Sequence, residues 1–461
     1  MKRMKQILSF VLVLVMVFAL TACGSSNTNS NTPASSTNTN TNTNTNTNTS
    51  NNTSNTPSSN TGTNTNTQPE ENLGPVEAAI KAAEGMTLEE LEAAAKKELE
   101  ENPSLVFNAD SLTSGVKKAL AKFEEKYEWA AGRTAYNSKK GSEYQPKLIA
   151  TQKADSYIAD FVMIQDASFL KNAMLDTGFL LSYVPQGDEF NIAESDQNPL
   201  VGVTFNKVFM YDNTTVGADQ LKNVWQMTGV DGVNLSGVHN VSYQSPLGED
   251  INMNFLIMLT SDTACEKLAS AYKSYFGKDY NPAEDETSYD NIGYKFVAEF
   301  IKNVGYWHSS DSKEVKAINT YADDGRIIFA GLCKLKDYEY YKADYKDTDQ
   351  YYTKTVTAAG WNNDVEGFDG FVYNMWTLIP RTAQLPYTAC LFINYLLSEE
   401  GFNAGWGGIL GYYSGNQNIP TVDGDPALSV WKEQCIVEDV DYLDTAYRTA
   451  VKFINMQMAG K

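Results

Sequence analysis

The chain has 461 residues, of which 57 are acidic and 36 are basic, and its net charge is −21. Such an acidic surface repels nucleic acid and anionic headgroups, so neither is expected as a partner. The folded part is too long for one hydrophobic core of typical size, and two lobes are therefore expected.

The first 22 residues have the layout of a secretory signal peptide. A basic start precedes an apolar run from Ile7 to Leu20, which is shorter than the roughly 20 residues that a membrane-spanning helix needs. Leu20-Thr21-Ala22-Cys23 resembles the lipobox of bacterial lipoproteins, in which the cysteine takes a lipid through its sulfur. We expect residues 1–22 to be removed and Cys23 to become a lipid-anchored N-terminus at the outer face of the cell membrane. An ordinary signal peptide that ends at a cysteine is the alternative.

Residues 23–72 are nearly all Asn, Thr and Ser. This composition buries too little apolar surface to offset the entropy of ordering the chain. A disordered tether is expected, and a flexible chain of this length gives a typical stand-off of roughly 35–40 Å.

Folded sequence is predicted to begin near Gly74. Pro75 suits the first position of a helix, and Thr87-Leu88-Glu89-Glu90 has the form of a capping box that opens a second helix ending before Pro103. The next predicted elements are a strand at 105–107, a helix through 116–127, a strand near 133–136, a helix around 144–150 and a strand at 159–164. Strands that alternate with helices indicate an α/β fold with a largely parallel sheet.

Two long strands are predicted in the second half of the chain. The first covers 201–211 and is expected to cross from one lobe to the other. The second covers 371–379 and leads into a helix with Pro386 in its first turn and Gly401 just past its end.

Motifs that carry chemistry are scarce. The two histidines lie outside any HExxH motif, and neither a Gly-x-Ser-x-Gly elbow nor a phosphate-binding loop occurs. The protein is not expected to be an enzyme or to need a cofactor, although a glycoside hydrolase with two carboxylates stays an alternative. The cysteines after Cys23 lack metal-ligand spacing and are expected to be free thiols: Cys265, Cys333, Cys390 and Cys435.

Aromatic residues are the positive signal for binding. Tyr338, Tyr340 and Tyr341 cluster in a charged stretch where packing in a core explains them poorly. Tyrosine can stack on a sugar ring, donate a hydrogen bond to an anion, or ligate a hard metal ion when deprotonated. Trp361 could line the same pocket. The alternatives are a surface position for the tyrosines and a core position for the tryptophan.

The order of these elements resembles the substrate-binding lipoproteins of bacterial ABC importers, which have the type 2 periplasmic-binding-protein fold. The branch with ferric-iron and related small-solute receptors is the most similar, over about Thr87 to Pro420. The segments that carry the resemblance are the helix opened by Thr87-Leu88-Glu89-Glu90-Leu91, residues 105–111, 147–150 and 159–166, and Phe392-Ile393-Asn394-Tyr395-Leu396-Leu397-Ser398-Glu399-Glu400-Gly401.

The resemblance implies two lobes, each with a mixed, mostly parallel sheet flanked by helices, and a ligand cleft between them. Lobe 1 would comprise 73–205 and 366–418, and lobe 2 would comprise 206–365 and 419–461. The protein would capture a small polar solute as a monomer and deliver it to an ABC permease. A surface sensor or adhesin that retains the fold is the alternative.

In this fold the ligand contacts the loops that leave the carboxyl ends of the strands. The residues expected there are Asn108, Ser111, Asn137, Ser138, Gln165, Asp166, Tyr338, Tyr340, Tyr341 and Trp361. In iron receptors of this branch, two adjacent tyrosines hold the metal, and Tyr340 and Tyr341 would take that part here. This chain departs from the iron pattern because its first lobe has no histidine, so a carbohydrate or another polar solute stays open beside ferric iron.

Overall fold

The structure is a computed structural model, and it describes residues 73–139, 141–212, 221–229, 241–285, 287–320, 327–335, 356–361 and 365–459. The predicted starts of the first two helices are confirmed. Helix α1 (Pro75–Ala83) has Pro75 at its first position. Helix α2 (Leu88–Glu101) is opened by a capping box, in which the Glu90 amide donates to Thr87 Oγ1 at 3.3 Å and the Thr87 amide donates to the Glu90 carboxylate at 2.9 Å.

The strands of the described residues join one mixed sheet. They are β1 (Phe107–Ser111), β2 (Thr134–Ser138), β3 (Phe161–Ile164), β4 (Leu180–Leu181), β5 (Val201–Asp212), β6 (Val241–Gln244), β7 (Val304–His308), β8 (Ile327–Gly331), β9 (Val356–Ala358), β10 (Gly370–Pro380), β11 (Tyr412–Ser414) and β12 (Ile436–Val437). The order along the main path is β2-β1-β3-β10-β5-β8-β6-β7.

Each end of this path is a parallel group of strands. At one end, β1 pairs in parallel with β2 and with β3, so the carboxyl ends of these three strands lie at one edge. At the other end, β6 pairs in parallel with β7 and with β8. Loops that leave the carboxyl ends within each group are therefore neighbours in space.

The long strands β5 and β10 join the two groups. Strand β10 pairs antiparallel with β3 through Trp376–Leu378 and with β5 from Gly370 to Trp376. Strand β5 continues past this pairing and pairs antiparallel with β8 from Lys207 to Tyr211. The strand predicted at 201–211 is confirmed as Val201–Asp212.

Helices cover both parts of the sheet. The remaining ones are α3 (Ser114–Lys126), α4 (Gly141–Ala154), α5 (Asp250–Met258), α6 (Asp262–Phe276), α7 (Ile292–Asn303), α8 (Asp311–Thr320), α9 (Pro386–Leu397), α10 (Glu399–Trp406), α11 (Leu428–Gln434) and α12 (Val440–Ala459). Helix α9 packs on α2, and α12 packs on α5 and α7. In the described ranges, no helix is both long and apolar enough to span a bilayer.

Aromatic rings form much of the core. Phe392 of α9 meets Phe107, Phe123 and Phe161 edge to face, with ring centroids 5.1–5.5 Å apart. These rings pack α9 and α3 against β1 and β3. Offset and edge-to-face aromatic contacts add to the free energy gained by burying apolar area. The cysteines within the described residues are free thiols, and Cys390 and Cys435 are buried.

Two predicted element boundaries are wrong. The first strand covers Phe107–Ser111 and not 105–107, because these five residues pair with Thr134–Ser138 while the Leu105 amide closes a turn onto the Asn102 carbonyl. Helix α9 ends at Leu397, where Ser398 caps the next helix, so Gly401 lies inside α10 and not after a helix end.

Candidate functional site

The carboxyl ends of β1, β2 and β3 bring several predicted residues to one edge of the sheet. Ser111 ends β1, and its buried hydroxyl accepts a hydrogen bond from the Thr113 amide at 3.2 Å, just before helix α3 begins. Ser138 ends β2 and is exposed, whereas Gln165 follows β3 and is half-buried. This edge therefore presents polar groups beside the N-terminus of a 13-residue helix.

Asn137 is engaged by a buried carboxylate. Its amide donates to Asp110 Oδ1 at 2.9 Å, and the Tyr144 hydroxyl donates to Asp110 Oδ2 at 2.7 Å. Lys139 lies 3.5 Å from the same carboxylate. Burial, together with the charge of Asp110, raises the pKa of Tyr144. Asn137 thus uses its amide to satisfy the buried carboxylate of Asp110 on the neighbouring strand.

Asn108 does not lie at the carboxyl edge. Because β1 extends to Ser111, Asn108 is at the opposite end of that strand. Its amide nitrogen donates to the Val106 carbonyl and the Tyr157 hydroxyl at 2.8 and 2.9 Å. The expectation that Asn108 lies in the loop at the carboxyl end of the strand is wrong, because the strand begins two residues later than the pattern predicts, whereas its contact with a ligand stays a prediction.

For Trp361 the structure favours the alternative of a core position, and its contact with a ligand stays a prediction. It packs against the hydrophobic cluster that contains Val208 and Met210. These residues alternate with Lys207 along β5, so Trp361 packs on the face of the strand that Lys207 does not share. The three predicted tyrosines, Tyr338, Tyr340 and Tyr341, lie outside the described residues, as does Cys23.

Asp166 connects the two parts of the sheet. It follows β3, is buried, and accepts hydrogen bonds at Oδ1 from the Ser168 amide and hydroxyl. The same oxygen accepts from Asn254 of α5 at 3.2 Å, and α5 follows β6 at the other end of the sheet. Burial raises the pKa of Asp166, although the bonds from Ser168 and Asn254 oppose that shift. The carboxyl edges of the two strand groups therefore meet at this residue.

Lys207 lies at the matching edge of the second group. It is 3 % exposed, and its Nζ donates to Asn252 Oδ1 at 2.9 Å and to Asp311 Oδ1 at 3.0 Å. The second carboxylate oxygen of Asp311 accepts from the Gly331 amide at the end of β8. Burial alone would lower the pKa of Lys207, but the nearby carboxylates, led by Asp311 and Glu249, outweigh it and raise that pKa.

Two further acids lie near this lysine, of which Glu314 is buried and Glu249 is half-buried. Glu314 of α8 is 0 % exposed, and neither of its carboxylate oxygens has a hydrogen-bond partner of good geometry in the described part of the chain. Burial raises its pKa well above the usual range, and Asp311 raises it further. Burial also raises the pKa of Glu249, which accepts a bond from the Gln244 side chain at 3.1 Å.

A row of three aromatic rings lies beside these charges. Tyr373 of β10, Phe205 of β5 and Tyr412 of β11 are opposite one another in register. The Phe205 ring is 5.5 Å from Tyr373 and 4.4 Å from Tyr412, edge to face in both pairs. Phe205 and Lys207 are two residues apart in β5 and therefore share a face, which places the aromatic row next to Lys207 and its partner Asp311. Burial raises the pKa of Tyr373, and Tyr412, Asp311 and Glu249 raise it further.

Asp250 predicts a pH dependence of stability. Burial, then Asp166 and Glu249, raise its pKa from 3.8 to about 7. A raised carboxyl pKa makes folding favour the protonated form, so stability should fall as the pH rises from about 4 to about 7. Because the side chain is partly exposed, Asp250→Asn should stabilise the protein at pH 8 by only about 1–2 kcal/mol and have little effect near pH 4.

This expectation is tested by denaturant unfolding of wild type and variant at both pH values. Asp262→Asn, at the first position of α6 and exposed, is the control and should leave the wild-type pH dependence in place. An Asp250→Asn variant with the same pH dependence as wild type would contradict the assignment.

Sequence reasoning missed Lys207, Glu249, Asp311 and Glu314. The available signal is Lys207 itself, the one basic residue among the mostly apolar residues of β5. A buried lysine needs an acidic partner, so it predicts a buried carboxylate nearby without saying which one. Of the partners of Lys207, Asp311 is 104 residues away along the chain and Asn252 is 45 residues away.

Other cavities lie away from these edges. One of them has a volume of about 770 Å³ and is a groove between α1, the turn at Lys171–Leu175 and the start of α12. Its charged lining residues include Lys81 and Lys171, and Lys171 forms an exposed ion pair with Asp176. We favour the strand edges as the site because their polar groups are buried and converge from several elements. No group of three or more His, Cys, Asp or Glu placed to hold a metal occurs among the described residues.

Solved structures with the same fold include several binding proteins. The apo ferric ion-binding protein A of Pasteurella haemolytica matches with a TM-score of 0.52 and 13% identity, over 77% of this chain and 98% of that chain. An ABC transporter substrate-binding protein from Bradyrhizobium japonicum matches with a TM-score of 0.52 and 12% identity, over 77% of this chain and 100% of that one.

The periplasmic-binding protein MotA of A. tumefaciens, solved in complex with glucopine, matches with a TM-score of 0.51 and 12% identity, over 77% of this chain and 100% of that chain. No protein-family profile and no curated protein sequence matches this chain. The identities are low, so the likeness concerns the fold. The chain has the two-lobed α/β fold of type 2 periplasmic-binding proteins, as its sequence predicted.

Proposed function

We propose that the protein is the substrate-binding component of an ABC importer, and that it captures a small polar solute between two lobes. The observation that carries the proposal is the hydrogen bond between Asp166 and Asn254, where the carboxyl edges of the two strand groups meet. In open α/β sheets, ligands bind outside the carboxyl ends of the strands. The matched structures are described as binding proteins, which favours binding over catalysis.

The lobes would follow the division expected from the sequence, 73–205 with 366–418 and 206–365 with 419–461. Strands β5 and β10 would then be the hinge, since they pair with each other while β10 pairs with β3 of the first group and β5 pairs with β8 of the second. Ser111, Ser138 and Gln165 would contact the solute from the first lobe, and the predicted tyrosines from the second. Closure requires the solute to bind the closed state more tightly by a few kcal/mol.

A ligand screen on the purified full chain tests this function. Sugars, amino acids, amines, carboxylates and ferric citrate would each be added at equal concentration, and the thermal midpoint recorded. A ligand that binds only the folded state raises the midpoint with concentration. A solute of any of these classes should do so, and a chain that no solute stabilises but that hydrolyses glycosides would overturn the proposal in favour of an enzyme.

Cys23→Ala tests the proposed lipid anchor. The substitution removes the sulfur that would carry the lipid, so the variant should remain unprocessed or be shed from the cell. Because one or more acyl chains are what would hold the protein at the bilayer, its share in the detergent phase should collapse. Wild-type partitioning that persists unchanged in Cys23→Ala would mean that something else holds the protein at the membrane.

A further inference from the structure

We propose that the site captures an organic cation with more than one ammonium group. The inference rests on the proposed function and narrows it to a chemical class of solute. Observations of three kinds carry it, all on described residues: the balance of charge, the buried acceptors that lack a donor, and the neighbouring aromatic row.

Negative charge dominates the meeting point of the two edges. Glu249 directly precedes α5, the helix whose Asn254 donates to Asp166 of the first edge and whose Asn252 accepts from Lys207 of the second. The interacting carboxyl groups are those of Asp166, Glu249, Asp250, Asp311 and Glu314, and the opposing charge among them is that of Lys207. Lys207 is already bound to Asp311. A cleft lined by one sign of charge attracts a ligand of the other sign and repels phosphates and carboxylates.

The polar atoms left without a partner at these edges are acceptors. In the described part of the chain, they are Asp166 Oδ2, Asn254 Oδ1 and both carboxylate oxygens of Glu314. All three residues are at most 1 % exposed. An unsatisfied buried acceptor is costly, so these positions favour a further donor, which a bound solute would supply. An ammonium group carries three donors and no acceptor, which matches this set.

The unpartnered acceptors lie at two separate places. Asp166 and Asn254 contact each other, whereas Glu314 belongs to α8 beside Lys207. Helix α5 links the two places, because its Asn254 bonds Asp166 at one and its Asn252 bonds Lys207 at the other, and Glu249 directly precedes this helix. A solute with ammonium groups at two points along an apolar stem would satisfy both. Asn206 also has unpartnered amide atoms, but it lies against Gly411 and alternates with Lys207 along β5, so it is not in this set.

The aromatic row favours an organic stem over a bare ion. Tyr373, Phe205 and Tyr412 present rings next to Asp311 and Glu249. Ring faces attract cations and also cover methylene groups, and such contacts strengthen when water is excluded. A hydrated metal ion would gain little from this wall.

When no solute is bound, protons on Glu314 and Glu249 would take the place of the cation. Burial raises the pKa of Glu314 and of Glu249, and Asp311 adds to both shifts. The groups that face Glu314 are Lys207 of β5, Gln244 of β6 and Glu249, which directly precedes α5. Binding of an ammonium group favours the ionised carboxylates. Proton release on binding should therefore be measurable, and affinity should rise with pH.

The experiment compares solutes of equal length on the purified full chain. 1,4-Diaminobutane and spermidine should raise the thermal midpoint, whereas 1,4-butanediol, butylamine, succinate, glucose and ferric citrate should not do so at equal concentration. Titration calorimetry of the diamine in two buffers of different ionisation enthalpy should show protons leaving the protein. A gain of solute affinity at low pH would count against the proposal.

Glu314→Gln tests the residue that carries most of the argument. The amide keeps the shape but loses the charge, so diamine binding should weaken roughly 30-fold or more, as for other buried charge pairs. The control is Glu101→Gln, an exposed glutamate in an i,i+4 pair with Lys97, which should bind as wild type. If Glu314→Gln does not fold, Glu249→Gln should show the same loss.

The outcomes separate this inference from the proposed function. If a sugar, an anion or iron stabilises the chain while no amine does, the cation assignment is overturned and the receptor function stands. If no solute of any class binds, both fall. Diamine binding that is equally tight in Glu314→Gln, Glu249→Gln and wild type would overturn the assignment of the site.

Discussion

Replacing Lys207 with methionine should lower the free energy of unfolding by about 3 kcal/mol, the lower end of the range for breaking a buried ion pair. Methionine has a similar length but no charge, so Asp311 would keep only its bond from the Gly331 amide. Asn252 would lose the donor to its Oδ1 as well. The surrounding acids would then face no positive charge from this position, which adds to the cost of keeping them buried.

Chemical denaturation of the full chain measures this effect. Lys97→Met is the control, because its pair with Glu101 is exposed and surface pairs contribute between about 0 and 1 kcal/mol. The double variant Lys207→Met/Asp311→Asn should recover part of the loss, since it removes the buried charge left behind by the single change. A single variant that is as stable as wild type would show that Lys207 does not neutralise the acidic group.

Lys207 also shows how much of the site can be predicted from the sequence. The apolar pattern of residues 201–211 predicts the crossing strand, because alternation and β-branched content are local properties. The pairing of that strand with β8 and β10 depends on contacts between distant segments. Since the partners of Lys207 come from α5 and α8, the acidic group follows from topology and not from a motif.

Ser111 and Asn108 show the same limit at the scale of one strand. Both were expected at the ligand edge, yet a boundary error of two residues places them at opposite ends of β1. Strand ends are weakly encoded because the last residues of a strand are held by register with the neighbouring strand. Asp166 was predicted correctly as a residue that follows β3, but its contact with Asn254 could not be, because 88 residues separate them.

The sequence pattern around Gly401 predicts a helix end, but the structure gives this glycine another role. A glycine after a run of apolar helical residues indicates a helix end. In the structure, α9 stops earlier at Leu397, and Ser398 caps α10 by accepting a bond from the Gly401 amide at 3.2 Å. The chain turns so sharply that α10 begins directly against the last turn of α9. Glycine is needed here for this close approach of two backbones.

Gly401→Ala should therefore destabilise the protein by about 3 kcal/mol, at the upper end of the range for overpacking. An added Cβ would lie 1.8 Å from the Tyr395 carbonyl oxygen and 2.6 Å from its carbon, and backbone atoms cannot move aside as a flexible side chain could. Gly85→Ala is the matched control, because its nearest neighbour would be at an ordinary 3.5 Å. Denaturant unfolding of both variants measures the difference. Equal stability of the two would mean that α9 and α10 are not joined by so tight a turn.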